Sequence, residues 1–115
     1  MKAHEVVGAL SALAQDSRLA VYRLLVKRGP DGYPAGEIAD RLHIAGPTLS
    51  FHLKELSQAG LLAIRREGRY LHYSANFERM HTLVEFLTEN CCSLSTTCEP
   101  GSCAPAKPSS KRKAA

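Results

Sequence analysis

All four cysteines of the chain lie within one short segment near its C-terminal end. They are Cys91, Cys92, Cys98 and Cys103, and no thiol precedes them. A disulfide framework spreads its cysteines along a chain to join distant segments, so this clustering argues against one. Clustered thiols are instead typical of soft-metal binding or of redox chemistry.

The spacing of these thiols suits a single large ion. Cys91 and Cys92 are adjacent and can present two sulfurs to one ion, and the chain can loop back from Cys98 to supply a third. Thiolate-only ligand sets select soft ions over hard cations. Cys103 is a candidate fourth ligand, and four thiolates would suit tetrahedral Zn²⁺ or Cd²⁺. The spacing alone does not decide between three interpretations of these thiols, namely a soft-ion site, a redox switch and an incidental group of thiols.

Positive charge is concentrated in the middle of the chain. The chain has 115 residues and a formal net charge of +4. Residues 41–79 carry six basic side chains against three acidic ones, which gives +3, whereas residues 1–40 are balanced. The length indicates one main domain and excludes a large multidomain enzyme. A small basic domain favours a nucleic-acid partner.

Hydrophobic periodicity predicts a mainly α fold with a small β-hairpin (α+β). Leu49, Leu53 and Leu56 recur at helical spacing, so one stripe of their helix is buried, and Gly60 ends that helix. Asp16 or Ser17 is the expected N-cap of the second helix. The predicted helices cover residues 3–14, 17–28, 35–42, 47–59 and 77–90, and the predicted hairpin covers 61–74 with its turn at Glu67–Gly68.

The order of these elements describes a winged helix-turn-helix. A helix fits the major groove, where base edges differ in their donors and acceptors, and a basic hairpin reaches the flanking phosphates. The alternative is a solvated helix face and a basic turn that stays in water. The predicted DNA-binding residues are Thr48, Ser50, Phe51, His52 and Lys54 on the helix and Arg65, Arg66 and Arg69 around the hairpin turn.

Several segments over residues 3–90 resemble the ArsR/SmtB family of winged helix-turn-helix repressors. The most specific are Pro47–Leu56, which contains Ser50-Phe51-His52-Leu53, and the wing Arg65–Tyr73. Leu19–Leu25 and Glu37–Leu42 match as well. The resemblance implies a homodimer on a pseudo-palindromic operator. It implies an interface between the first and last helices, through Val6, Val7, Leu10 and Leu13 with Met80, Leu83, Val84 and Leu87, unless these residues only complete the monomer core.

Members of that family sense different inducers at different places. The arsenic-sensing prototype has thiols at the start of the third helix, where this chain has Tyr33–Glu37, which contains none. The last helix has His81 among carboxylates, a pattern more typical of a solvated face than of a zinc site. The Cys-Cys-x5-Cys pattern of Cys91, Cys92 and Cys98 resembles a C-terminal site of some arsenic-responsive members. The resemblance therefore implies trivalent arsenic (arsenite) or antimonite as the inducer.

Two alternatives of the same fold stay open, a Zn/Cd/Pb-type metal sensor and a thiol redox-sensing repressor. An enzyme is not expected, since a reductase needs an activated thiol, and a helix C-terminus opposes a thiolate. We expect residues 1–92 to form the DNA-binding and dimerisation domain and residues 93–115 a flexible, Cys-containing basic tail. Neither a signal peptide nor a membrane segment is apparent, so the expected protein is cytoplasmic and binds double-stranded DNA, with no membrane or RNA partner.

Overall fold

The computed structural model describes residues 1–95, which form five helices and three strands. The predicted class, mainly α with a small antiparallel sheet, is confirmed. The chain divides into two compact units, Met1–Leu83 and Val84–Ala115. The boundary expected after residue 92 stays a prediction, and most of the expected tail, residues 96–115, lies outside the described residues.

The elements are α1 (Ala3–Leu13), α2 (Asp16–Arg28), β1 (Tyr33–Pro34), α3 (Ala35–Leu42), α4 (Gly46–Gln58), β2 (Leu62–Glu67), β3 (Tyr70–Ala75) and α5 (Phe77–Thr88).

The sheet has three antiparallel strands in the order β1-β3-β2. Strands β2 and β3 form the predicted hairpin, and their last pair is Glu67 with Tyr70. The loop is therefore Gly68–Arg69, one residue later than the predicted turn at Glu67–Gly68. Strand β1 was not predicted, because two residues are too short to show a period of their own. It exists through its pairing with β3, in which Tyr33 lies opposite Tyr73.

Close packing holds β1 against β3. Gly32 has φ +69°, and a Cβ there would overlap the backbone carbonyl of Tyr73, so only glycine allows this approach. The next residue, Tyr33, has two guanidinium groups near its ring, those of Arg28 at 4.8 Å and Arg41 at 4.7 Å from the centroid. These distances are within the range of cation–π attraction. They tie the strand to the end of α2 and to α3.

The core lies around the stripe predicted for α4. Leu49, Leu53 and Leu56 are buried, as expected. The helix ends in a Schellman motif, in which the Gly60 N–H donates to Ser57 O at 3.0 Å and the Leu61 N–H donates to Leu56 O at 3.1 Å. Gly60 adopts φ +79°, in agreement with its expected role. Leu56 and Leu61 are both fully buried, so the motif turns the chain directly from α4 into β2.

Side-chain caps begin two of the helices. The expected cap of α2 at Asp16 or Ser17 is wrong, because Gln15 Oε1 accepts from the Arg18 N–H at 2.9 Å. At the start of α5, Asn76 Oδ1 accepts from the Arg79 N–H at 3.1 Å. The Asn76 amide also donates to Gly60 O, again at 3.1 Å, so the same side chain connects α5 to the end of α4.

Helix α1 is apolar on two faces. Val6, Ala9 and Ala12 are buried, whereas Val7 and Leu10 are exposed. The expectation that Val6 contributes to a dimer interface is therefore wrong, because the protomer itself buries Val6 at 4% exposure. The same holds for Leu83, which is 6% exposed. In these two cases the alternative reading, completion of the monomer core, is correct.

Candidate nucleic-acid interface

The face of α4 opposite the buried leucines is open to solvent. At 100° per residue, Pro47, Phe51, Lys54 and Gln58 form the outermost stripe, directly away from Leu49 and Leu56. Thr48 and Ser50 flank this stripe. The structure thus places four of the five predicted helix residues, Thr48, Ser50, Phe51 and Lys54, on exposed positions. Their contact with DNA stays a prediction.

His52 does not lie on that face, so its expected position among the DNA-reading residues is wrong. Its side chain is 6% exposed and lies with the buried leucines. Arg18 Nη1 lies 3.4 Å from His52 Nδ1. Because a guanidinium can only donate, Nδ1 accepts, which selects the neutral ring with its proton on Nε2. His52 therefore stabilises the position of α4 rather than reading a base.

Arg18 was missed by sequence reasoning. Its Nε donates to Ala12 O at 2.7 Å, so its side chain joins the end of α1 to α4 as well as contacting His52. An arginine near the start of a helix carries no distinguishing signal. The one available signal was His52 itself, since a polar residue within a buried stripe requires a hydrogen-bonding partner.

Stability should depend on the titration of His52. Burial and the nearby charge of Arg18 lower the pKa of His52 from its usual 6.5. Below that value the unfolded chain takes up a proton that the folded chain resists, so acidification destabilises the fold. We expect the thermal midpoint to fall more between about pH 7.5 and pH 5 in the unaltered chain than in His52→Asn, because the asparagine Oδ1 can accept from Arg18 without titrating. Thermal unfolding followed by circular dichroism measures this difference, and parallel losses in both proteins would contradict it.

The three arginines of the wing differ in their hydrogen-bond and ion-pair partners. Arg65 Nη2 lies 3.4 Å from Glu67 Oε1 and donates to Asp31 O at 3.3 Å. The same Glu67 oxygen lies 3.2 Å from His72 Nε2. Arg66 and Arg69, by contrast, form no hydrogen bond or ion pair with any part of the chain that the structure describes. Their guanidinium groups are therefore available for phosphates at the tip of the hairpin.

The second unit carries two of the predicted metal-binding thiols. Cys91 and Cys92 follow α5, and their Sγ atoms are 3.4 Å apart. The hydrogen bond with Cys91 is the main reason that the pKa of the Cys92 thiol is raised. Residues 1–95 contain no group of three or more His, Cys, Asp or Glu side chains placed to hold a metal. The predicted third ligand, Cys98, and the candidate fourth, Cys103, lie outside the described residues.

None of the helices in the described part of the chain is long and apolar enough to cross a membrane. The outer face of α4 is exposed and carries Lys54, and the hairpin carries the exposed Arg66 and Arg69, an arrangement that suits a nucleic-acid groove.

Known proteins share this arrangement. A helix-turn-helix domain family matches residues 13–65. The transcriptional repressor SdpR of Bacillus subtilis is 35% identical over 69 residues, which cover 60% of this chain and 73% of SdpR. A Halobacterium salinarum protein named for the arsenical resistance operon repressor ArsR is 33% identical over 58% of this chain and 51% of its own length.

A solved structure extends the likeness to the three-dimensional fold. It is the homodimeric winged helix-turn-helix DNA-binding domain Mb0332 from Mycobacterium bovis, described as a possible ArsR-family regulator. It has a TM-score of 0.60 and 27% identity, over 76% of this chain and 81% of that one. These relatives are transcriptional regulators, which confirms the prediction that the chain is not an enzyme. The chain belongs to the ArsR family of winged helix-turn-helix transcriptional regulators.

Proposed function

We propose that the chain is a homodimeric repressor that binds operator DNA and is released when trivalent arsenic or antimony binds Cys91, Cys92 and Cys98. The observation that supports this choice of inducer is the 3.4 Å separation of the Cys91 and Cys92 sulfurs. For comparison, two thiolates on one tetrahedral zinc at ~2.3 Å each stand roughly 3.8 Å apart. The pair is thus close to the spacing that one soft ion requires, with little movement of the backbone.

Proton release distinguishes a trivalent metalloid from a divalent cation as the ligand of this pair. Arsenous acid condenses with thiols directly, since each As–S bond forms as one hydroxyl group and one thiol proton leave as water. A divalent cation must first displace the protons from its thiol ligands. The name of the Halobacterium salinarum relative also supports arsenic.

The DNA-binding half of the proposal depends on α4 and the wing. Lys54 is exposed on the outer face of α4, and Arg66 and Arg69 are available on the hairpin. A helix in the major groove with basic groups over the adjacent phosphates accounts for the +3 charge of residues 41–79. We also place the protein in the cytoplasm, where that DNA would be bound.

Release requires that the thiol site communicate with the DNA-binding elements. Arsenic held by Cys91, Cys92 and Cys98 would draw the residues after α5 back toward the end of that helix. In a dimer built on α1 and α5, this would change the spacing of the two α4 helices. A coupling free energy of about 1–3 kcal/mol would weaken operator binding roughly 5- to 150-fold.

Exposed apolar side chains on both helices support the dimer. Val7 and Leu10 are exposed on α1, and Val84 and Leu87 are exposed on the part of α5 that lies in the second unit. Burial of such side chains is the main driving force of association. The homodimeric Mb0332 domain supports the same assembly.

Leu10→Glu should therefore convert the dimer to a monomer at micromolar concentration, because it places a charge in the apolar contact. Leu19→Glu on α2 is the matched control, since Leu10 and Leu19 are equally exposed at 42%. Sedimentation equilibrium measures both. A dimer that persists in Leu10→Glu, or one that Leu19→Glu disrupts equally, would contradict this interface.

Titration of the reduced chain with arsenite tests the proposed inducer. We expect ultraviolet absorbance of As–S bonds to saturate at one arsenic per protomer, with little net proton release in weakly buffered solution. Zn²⁺ or Cd²⁺ binding, by contrast, would release protons. If either cation binds far more tightly than arsenite, the metal-sensor alternative is favoured. Disulfide formation without metalloid binding would favour the redox alternative.

A further inference from the structure

Phe51 occupies an unusual place on α4. Its side chain is 54% exposed. The structure describes every residue of α4, and Phe51 is the only large apolar side chain of that helix that is exposed to solvent. Single exposed apolar residues are common on protein surfaces. This one, however, lies in the outermost stripe, between Pro47 and Lys54, where a groove-bound helix faces the bases.

The ring is held in place from its inner side. The Arg18 guanidinium carbon lies 6.0 Å from the Phe51 centroid. The His52 ring centroid is 5.9 Å away, with the two rings inclined at 56°. Because Arg18 and His52 are themselves fixed to each other and to α1, Phe51 projects from an ordered base.

The chemistry of the groove limits what this ring can recognise. Phenylalanine has no hydrogen-bond donor or acceptor, so it cannot read the polar edges of the bases. The major groove offers one apolar feature that depends on sequence, the C5-methyl group of thymine. A phenyl ring against that methyl excludes water from both surfaces.

We propose that Phe51 is a specificity-determining residue that selects thymine, through its methyl group, at one position of each operator half-site. This inference rests on the proposed DNA-binding function and deepens it. Removal of one buried methyl should weaken binding about fourfold. In a symmetric dimer the loss from both half-sites should reach about fifteenfold.

The test begins with operator sequences that the full chain selects from a pool of random duplexes. Each thymine in the selected half-site is then replaced, symmetrically and one position at a time, by deoxyuridine. This change removes only the methyl group and keeps base pairing and the polar groove edge. We expect one position at which the unaltered chain prefers thymine to deoxyuridine by about fifteenfold, measured by fluorescence anisotropy.

Variants assign that preference to the ring. Phe51→Ala should bind the thymine and deoxyuridine duplexes equally at that position, while Phe51→Leu should keep part of the preference. Lys54→Ala, on the same stripe, should weaken both duplexes by one factor and leave their ratio unchanged.

Three results would overturn the inference. Phe51→Ala could keep the thymine preference at every position, or the unaltered chain could show none. In either case DNA binding itself would stand and only the role of Phe51 would fall. If the unaltered chain enriches no sequence from the pool, the proposed DNA-binding function fails together with this inference.

Discussion

Replacement of Cys91 or Cys92 by serine should abolish arsenite-triggered release while operator affinity stays within about twofold. The sulfurs are 3.4 Å apart at the end of α5, so each variant removes one of two adjacent ligands. A serine hydroxyl is a hard ligand and does not replace a thiolate on a soft ion. Operator affinity measured with and without arsenite should therefore change roughly 5- to 150-fold in the unaltered chain and hardly at all in the variants.

The remaining thiols provide the third ligand and the control. Cys98→Ser should behave like the other two variants, whereas Cys103→Ser should respond nearly normally, since three thiolates suffice for a trivalent ion. If Cys91→Ser, Cys92→Ser and Cys98→Ser all still release DNA on addition of arsenite, the assigned site is wrong.

The double variant Arg66→Ala/Arg69→Ala should lose operator affinity on the order of 1,000-fold at 0.1 M salt. Neither guanidinium has a partner within the described protomer, so their charge is available to neutralise phosphates. Each neutralised phosphate contributes about 0.9 to the slope of log affinity against log salt concentration. Removing two contacts from each protomer of a dimer should lower that slope by about 3.6.

A double variant on α2 separates this effect from net charge. Arg23→Ala/Lys27→Ala removes the same number of positive charges from exposed positions on α2. It should shift the slope much less. An equal loss in the two double variants would show that general charge, rather than contacts at the hairpin tip, determines the affinity.

Sequence patterning predicted those parts of the fold that local chemistry determines. The predicted bounds of all five helices lie within two residues of those observed. Apolar spacing and a terminal glycine, such as those of α4, act over a few neighbouring residues, so the sequence alone can predict where a helix lies. Gly60 is an example, since its positive φ satisfies the Schellman hydrogen bonds of its own helix. The same locality explains why Thr48, Ser50, Phe51 and Lys54 were correctly expected on the exposed face.

Features that depend on distant partners were missed or misplaced. Strand β1 forms because Tyr33 pairs with Tyr73, 40 residues later by their numbers, and because Gly32 allows that approach. His52 was placed outside because it is polar, yet Arg18, 34 residues earlier, makes its burial tolerable. Helix α1 is apolar on two faces, so periodicity alone could not tell Val6, which the protomer buries, from Val7, which it exposes.

The most direct test of the account is the fluorescence anisotropy of a labelled operator duplex, bound by the reduced full chain, during titration with arsenite. The proposed function predicts a fall to the value of free DNA, complete near one arsenic per protomer, and reversal on addition of a competing dithiol. Anisotropy that remains at its bound value after the As–S absorbance has saturated would contradict it, because arsenic would then bind without releasing the DNA.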